Sequence, residues 1–123
     1  MRKMLLIHHC GAIGGAGLSL LHIIRAIDKT KYRIIVLCPE FPAEMINLLH
    51  NEECEVIGSK TSPKIFAHYN GGILHALSIK TIKNGIEILR DKKHIIQYIK
   101  EINPDIVAVN SMTLFWIGRL AKK

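Results

Sequence analysis

Four short runs dominated by apolar residues recur along the chain, at residues 4–7, 34–38, 55–57 and 106–109. Each run has the length of a β-strand and is bounded by glycine, proline or charged residues. Three of the runs are apolar at every position, which is typical of strands that are covered on both faces of a parallel sheet. The pattern therefore predicts four buried parallel strands.

Helical spacing of apolar residues fills the intervals between these strands. Residues 18–27 predict a first helix and residues 43–50 a short second one. The same spacing recurs later in the chain, at Ile79, Ile82, Ile86, Leu89, Ile95, Ile99 and Ile102. Gly85 and Asp91 interrupt that series, so the spacing alone leaves open whether it forms one helix or two.

Two further segments complete the pattern. Residues 58–72 are rich in glycine, proline and small polar residues and predict a long loop, which in a compact domain is often functional. Residues 113–122 predict the start of a last helix.

The alternation of strands and helices predicts the α/β class, with one Rossmann-like domain over residues 1–123. Its parallel sheet is expected to be doubly wound, in a three-layer α/β/α arrangement with strand order 3-2-1-4. Ligands of such sheets bind at the carboxyl ends of the strands, where the order reverses. We therefore expect residues 8–17 and 110–113 to face the site, between the first and fourth strands.

Composition excludes several classes of protein. Apolar residues make up 49% of the 123 residues, so intrinsic disorder is not expected. The three cysteines, Cys10, Cys38 and Cys54, include no CxxC pair, which argues against a disulfide framework or a zinc ribbon and favours the reducing cytoplasm.

Residues 4–24 lack charges but contain three histidines and four glycines, and therefore do not predict a membrane span. The apolar run after the basic first residues is also too short for a signal peptide.

The net charge of +7 is concentrated in residues 58–100, which hold eight basic and two acidic residues. A local excess of this kind attracts phosphate or anionic lipid. The candidates for a surface that contacts an anionic membrane are Lys60, Lys64, Lys80 and Lys83. A solvated helix face accounts for the same charges without any ligand.

A glycine-rich turn at residues 9–17 separates the first strand from the first helix. Glycines here allow a ligand to approach the backbone and leave helix N-terminal amides free for an anion such as phosphate. Gly15 and Gly17 match the start of a G-x-G-x-x-G motif, but Leu20 occupies its third glycine position, and the acidic residue after the second strand is displaced to Glu40. The turn therefore predicts a phosphate site but not a dinucleotide site. A tight turn with close helix packing is the alternative role for these glycines.

Several stretches of the chain resemble the amino-terminal domain of the family 4 glycosyltransferases of GT-B fold. The first is Gly-Gly-Ala-Gly-Leu-Ser-Leu-Leu at residues 14–21, followed by residues 25–28 and 32–39. The second is residues 99–107, which lead to Asn110 and Ser111. The order and spacing of these motifs match the family over nearly the whole chain except residues 58–90.

This resemblance implies an enzyme that moves a sugar from a nucleotide-sugar donor to a glycan or lipid-linked acceptor, without a metal or other cofactor and with retention of configuration. Gly14 and Gly15 match the family's glycine pair and, with Ala16, would line the cleft near the donor diphosphate. The acceptor-binding residues that it implies are His9, Asn110 and Ser111. Many members carry Glu-Arg where this chain has Gly17 and Leu18, and no catalytic residue is assigned.

The resemblance also implies that the chain is truncated relative to the family. The sequence stops before that domain's next strand, with its cleft-facing histidine, and before the donor-binding domain. We therefore expect the 123 residues to be the acceptor-side half of the enzyme and to be inactive alone. Peripheral contact with the inner face of a membrane is compatible with this expectation.

Two other classes of function remain open. A nucleotide-binding domain of a dehydrogenase or epimerase is disfavoured by the glycine register, and a basic membrane or nucleic-acid adaptor is supported only by the charge of residues 58–100. No metal site is predicted, because His9, Cys10 and Cys38 lack a metal-ligand spacing. His8 and His9 are adjacent in an extended segment and are expected on opposite faces of the sheet.

Overall fold

The computed structural model describes residues 1–59, 79–110 and 117. Its strands are β1 (Arg2–Ile7), β2 (Tyr32–Pro39), β3 (Glu55–Ser59) and β4 (Ile106–Val109). Its helices are α1 (Gly15–Ala26), α2 (Glu44–Leu49) and α3 (Ile79–Ile102). Strands and helices alternate as the apolar pattern predicts.

The four strands form one parallel sheet in the order β3-β2-β1-β4. Ile7 at the end of β1 pairs with Leu37 of β2 on one side and with Val109 of β4 on the other. The strand order therefore reverses between β1 and β4, and the predicted fold class and strand order are confirmed.

Alternate residues of the central strands enter two separate hydrophobic cores. Leu6 and Val36 lie with Leu20 of α1 and Met45 of α2 on one face of the sheet. The core on the opposite face contains strand residues, the helical residue Ile117 and one side of α3. The strand residues are Leu5, Ile7, Ile35 and Leu37, and those of α3 are Ile95, Tyr98, Ile99 and Ile102. Because both faces are covered, both sets of strand positions are apolar, which explains the uninterrupted apolar runs.

Three boundaries differ from the sequence prediction. Strand β3 continues through Gly58 and Ser59, which pair with Cys38 and Pro39. The prediction that a loop begins at residue 58 is therefore wrong. Helix α1 begins at Gly15, three residues before the apolar stretch that predicted it. Gly85 does not divide α3, because the 24 residues Ile79–Ile102 form one helix.

Some predicted features lie outside the described residues. These are Lys60 and Lys64, the remainder of the predicted loop, and residues 113–122 apart from Ile117. Lys80 and Lys83 lie within α3. None of the helices in the described ranges is long and apolar enough to cross a membrane.

Candidate functional site

The carboxyl ends of β1 and β4 meet at one rim of the sheet, beside the first turn of α1. The backbone N–H of Asn110 donates to the carbonyl of Ile7 at 3.0 Å. Its side-chain Nδ2 donates to the carbonyl of Ala16 in α1 at 2.7 Å and lies 3.1 Å from His8 Nδ1. The glycine turn and the tip of β4 therefore adjoin each other, as the topology predicted.

These contacts settle the orientation of the Asn110 amide and the tautomer of His8. The atom that faces the Ala16 carbonyl must be the amide nitrogen, because a carbonyl oxygen can only accept a hydrogen bond. The same nitrogen faces His8 Nδ1, which must therefore accept as well. His8 is then neutral and carries its proton on Nε2, and Asn110 retains Oδ1 for other partners.

The surroundings of His8 agree with a neutral ring. Only 1% of its surface is exposed. Burial, with a smaller effect of the neighbouring His9, lowers the pKa of His8 from 6.5 to about 4. Its Nε2 lies 3.8 Å from the point where a Cβ on residue 17 would stand, and it has no hydrogen-bond partner among the described residues.

The expectation that His8 and His9 occupy opposite faces of the sheet is wrong. Strand β1 ends at Ile7, so strand alternation no longer applies to the next two residues, and their ring centroids are 5.1 Å apart. His9 is half-buried beside the rim. Within the described ranges, no group of three or more His, Cys, Asp or Glu side chains is arranged to hold a metal ion.

The buried thiol of Cys38, at the end of β2, is poorly suited to nucleophilic chemistry. Cys10, Cys38 and Cys54 are all free. The Cys38 thiol is directed at the carbonyl of Cys10, 4.0 Å away, and burial, followed by the proximity of Cys10, raises the pKa of Cys38 to about 12. Since the thiolate is the nucleophile, Cys38 is not a candidate for catalysis.

The glycines of the turn fall into two groups. A Cβ on Gly11 would lie 2.3 Å from the carbonyl oxygen of Pro42, and one on Gly17 would lie 2.8 Å from Met45 Sδ. Backbone atoms exclude a side chain at Gly11, while a Cβ on Gly17 would require the flexible end of the Met45 side chain to shift. Among the described residues, nothing lies within 4 Å of the point where a Cβ on Gly14 or Gly15 would stand. Packing therefore accounts for the first pair of glycines but not for the second.

The open glycines coincide with the amino terminus of α1. Gly14 caps the helix in an extended conformation, and the first helical hydrogen bond runs from Leu18 N–H to the Gly14 carbonyl at 3.0 Å. The amides of residues 15–17 therefore have no acceptor within the helix, and its first turn contains no acidic residue. Free amides and the helix dipole at such a position can bind an anion.

Two features of this rim were missed by the sequence analysis. Glu44 Oε2 accepts a hydrogen bond from the Ile13 N–H at 3.2 Å, which places a carboxylate one residue before the helix cap. Exposed apolar side chains also surround the turn, since Ile13, Leu18 and Phe41 are 47%, 49% and 78% exposed. Ile13 and Leu18 occupy the two positions of a hydrophobic staple, a spacing that the sequence alone could have revealed.

The remaining predicted site residues are placed as follows. The Ala16 carbonyl is bonded to Asn110, while Ser111 lies outside the described residues. Glu40, the displaced acidic residue, packs over Gly58, where a Cβ would meet Glu40 Oε1 at 2.8 Å. Its side chain is therefore directed along β3 and not toward the glycine turn, which argues against ribose binding by this carboxylate.

A separate cavity of about 270 Å³ lies at the opposite end of the sheet, near the first residues of β2 and β3. Two cations line it, but both have partners within the protein. Arg33 forms an ion pair with Glu55, and Lys29 Nζ donates to the carbonyl of Arg25 at 3.2 Å. The side chains of Arg33 and Lys29 are therefore already engaged within the protein.

Comparison of the chain with models of known protein families, with curated proteins and with solved structures finds no match.

Proposed function

We propose that this chain is the acceptor-side domain of a glycosyltransferase of GT-B type, with a β1–α1 turn that binds the phosphates of a nucleotide-sugar donor. The observation that carries the proposal is the open backbone at Gly14 and Gly15. These glycines stand at a helix amino terminus and at the reversal of strand order, where doubly wound sheets bind their ligands.

The absence of side chains at these two positions calls for a reason other than packing. None of the described glycines has a positive φ, and neighbouring atoms leave room for a Cβ at both positions. Alanine is more stable than glycine in a helix interior by roughly 0.5–1 kcal/mol, and part of this difference applies at Gly15, the first residue of α1. A ligand that approaches the backbone explains why the less stable residue stands there, since a Cβ would occupy the space of its phosphate.

In the proposed reaction, the amides of the first turn stabilise negative charge on the leaving diphosphate as the sugar passes to the acceptor. The acceptor hydroxyl would bind near His9, Ser111 and Asn110, whose Oδ1 takes no part in the bonds to Ala16 and His8. The proposal includes a second, donor-binding domain, as the resemblance to family 4 implies. We therefore expect the 123-residue chain to bind phosphate groups and to transfer no sugar alone.

The first test is a titration of the ¹⁵N-labelled chain with inorganic pyrophosphate and, separately, with uridine diphosphate. We expect the backbone amides of Gly14, Gly15 and Ala16 to shift with both probes. Gly15→Val should abolish these shifts, because its side chain fills the open space while leaving the packed glycines unchanged. Ser19→Val is the matched control, since it places the same side chain at an exposed position one turn further along α1.

The outcomes separate the alternatives. If neither probe shifts the turn amides, or if Gly15→Val binds as well as the wild type, the phosphate role is refuted. Binding of NAD with shifts at Glu40 would favour the dehydrogenase class instead. Sugar transfer by the chain alone would overturn the requirement for a second domain.

We also propose that the basic segment rests on the anionic cytoplasmic face of a membrane. Helix α3 exposes Arg90, Lys92 and Lys93 near two exposed apolar side chains, Ile86 and Leu89. Cationic residues near such a surface each contribute about 1 kcal/mol, and apolar neighbours can enter the interface. The chain should cosediment with anionic but not neutral vesicles, and Leu89→Asp should weaken this binding. Equal binding to both vesicle types would contradict the proposal.

A further inference from the structure

One asparagine at the rim joins three elements of the fold. Through its backbone, Asn110 extends the pairing of β4 with β1, and through its side chain it holds the second residue of α1. The carbonyl of Ala16 that it holds lies one residue beyond the open Gly15. A single side chain therefore links the end of the sheet to the turn that is proposed to bind phosphate.

His8 restricts this asparagine to one orientation. Both Ala16 O and His8 Nδ1 face Asn110 Nδ2, at 2.7 and 3.1 Å. A rotation of the amide by 180° would place its oxygen against the carbonyl and against the ring lone pair, and would lose both hydrogen bonds. The buried ring has little room to turn, since its other nitrogen lies 3.8 Å from the point where a Cβ on Gly17 would stand.

We infer that His8 and Asn110 form a positioning pair, in which His8 orients the Asn110 amide and that amide fixes the first turn of α1 against the sheet. The pair acts on the ligand only through the backbone amides of the turn. This inference rests on the proposed function for the identity of the ligand, but the positioning itself can be measured without one.

The first measurement concerns the hydrogen-bond roles. In the ligand-free chain near neutral pH, ¹⁵N spectra of the imidazole ring should show His8 as the neutral tautomer with its proton on Nε2. Asn110→Asp should raise the pKa of His8, because a carboxylate oxygen then faces Nδ1 and favours its protonation. A wild-type ring with its proton on Nδ1 would overturn the inference.

The second measurement is hydrogen exchange at the Leu18 amide, which makes the first hydrogen bond of α1. Asn110→Leu should accelerate this exchange about tenfold relative to the Val36 amide, which reports opening of the core. The control Asn51→Leu should leave the ratio unchanged, because Asn51 is exposed and, among the described residues, its side-chain amide donates to the nearby carbonyl of Asn47. Equal acceleration at Leu18 and Val36 would indicate general destabilisation and would overturn the positioning role.

Rescue by a conservative variant tests His8 itself. His8→Asn can retain an acceptor oxygen near the position of Nδ1, whereas His8→Leu removes the acceptor and keeps an apolar volume. The Leu18 to Val36 exchange ratio should therefore stay near the wild-type value in His8→Asn and rise in His8→Leu. The same ratio in both variants would contradict the role assigned to His8.

Ligand binding provides the last measurement. Asn110→Leu should bind inorganic pyrophosphate about tenfold more weakly than the wild type, and Asn51→Leu should bind it equally. An unchanged affinity in Asn110→Leu would refute the effect of positioning on the ligand. If the wild type itself binds no pyrophosphate, the proposed function fails, while the tautomer and exchange measurements still decide whether the pair positions the turn.

Discussion

Acidification from about pH 7.5 to about pH 4.5 is expected to destabilise the fold by about 2–3 kcal/mol through His8 alone. The pKa of this ring is 6.5 in its ordinary state and about 4 in the folded chain, because burial and then His9 disfavour its charged form. Between these two values, the unfolded chain binds a proton that the folded chain does not. The free energy of unfolding therefore falls as the pH drops from 6.5 toward 4.

The magnitude follows from the difference in proton affinity. A tenfold difference in proton affinity between the two states is worth about 1.4 kcal/mol. Because about pH 4.5 lies close to the lower pKa, most of the difference between the two pKa values contributes to the loss of stability at that pH. Above about pH 7 both states hold a neutral ring, so His8 contributes no pH dependence there. Well below pH 4 both states are protonated and the loss reaches its limit.

Urea denaturation at the two pH values measures this effect when the wild type is compared with His8→Asn. The variant removes the titrating ring, so its loss of stability on acidification should be smaller by about 2–3 kcal/mol. The control His22→Asn changes an exposed histidine of α1 and should retain the wild-type loss. An equal loss in the wild type and in His8→Asn would refute the argument from burial.

Three further predictions follow from contacts elsewhere at the two ends of the sheet. Gly11→Ala should destabilise the fold by about 1–3 kcal/mol or more in urea denaturation, because the added Cβ meets backbone that cannot rotate away. A variant as stable as the wild type would contradict this packing. Glu44→Gln should strengthen pyrophosphate binding about two- to fivefold at low salt, as measured by calorimetry. The substitution removes a negative charge beside Ile13 and retains a hydrogen-bond acceptor for its N–H. An unchanged affinity would place the phosphate elsewhere. Asp105→Ala should cost about 1 kcal/mol in the same denaturation assay, because it removes the 2.7 Å acceptor of the Lys3 N–H, and no loss would show that water replaces it.

The sequence predicted which residues form each strand and in which order the strands pair, because both follow from local patterns along the chain. Uninterrupted apolar runs indicate strands covered on both faces, and the intervening helices require parallel crossovers. The reversal of strand order then placed residue 110 beside the glycine turn. Boundaries were less predictable, since Gly58 and Ser59 extend β3 only because Cys38 and Pro39 are there to pair with them.

In the candidate site, too, some features were predictable from the sequence and others were not. The sequence marked the glycine turn as a unit, but it could not distinguish Gly11 and Gly17 from Gly14 and Gly15. That distinction depends on Met45 and on the backbone at Pro42, which approach the turn only in the folded chain. The expected separation of His8 and His9 failed for a related reason, because β1 ends at Ile7.

The sequence by itself determined the layers, the parallel order of the strands and the end of the sheet where a ligand is expected, because periodicity is a local property of the chain. Only the tertiary structure joined His8 to Asn110, which are 102 residues apart, and gave each its hydrogen-bonding role. Those roles follow from burial and from the acceptors that converge on one amide nitrogen. No spacing along the chain encodes such a convergence of distant groups.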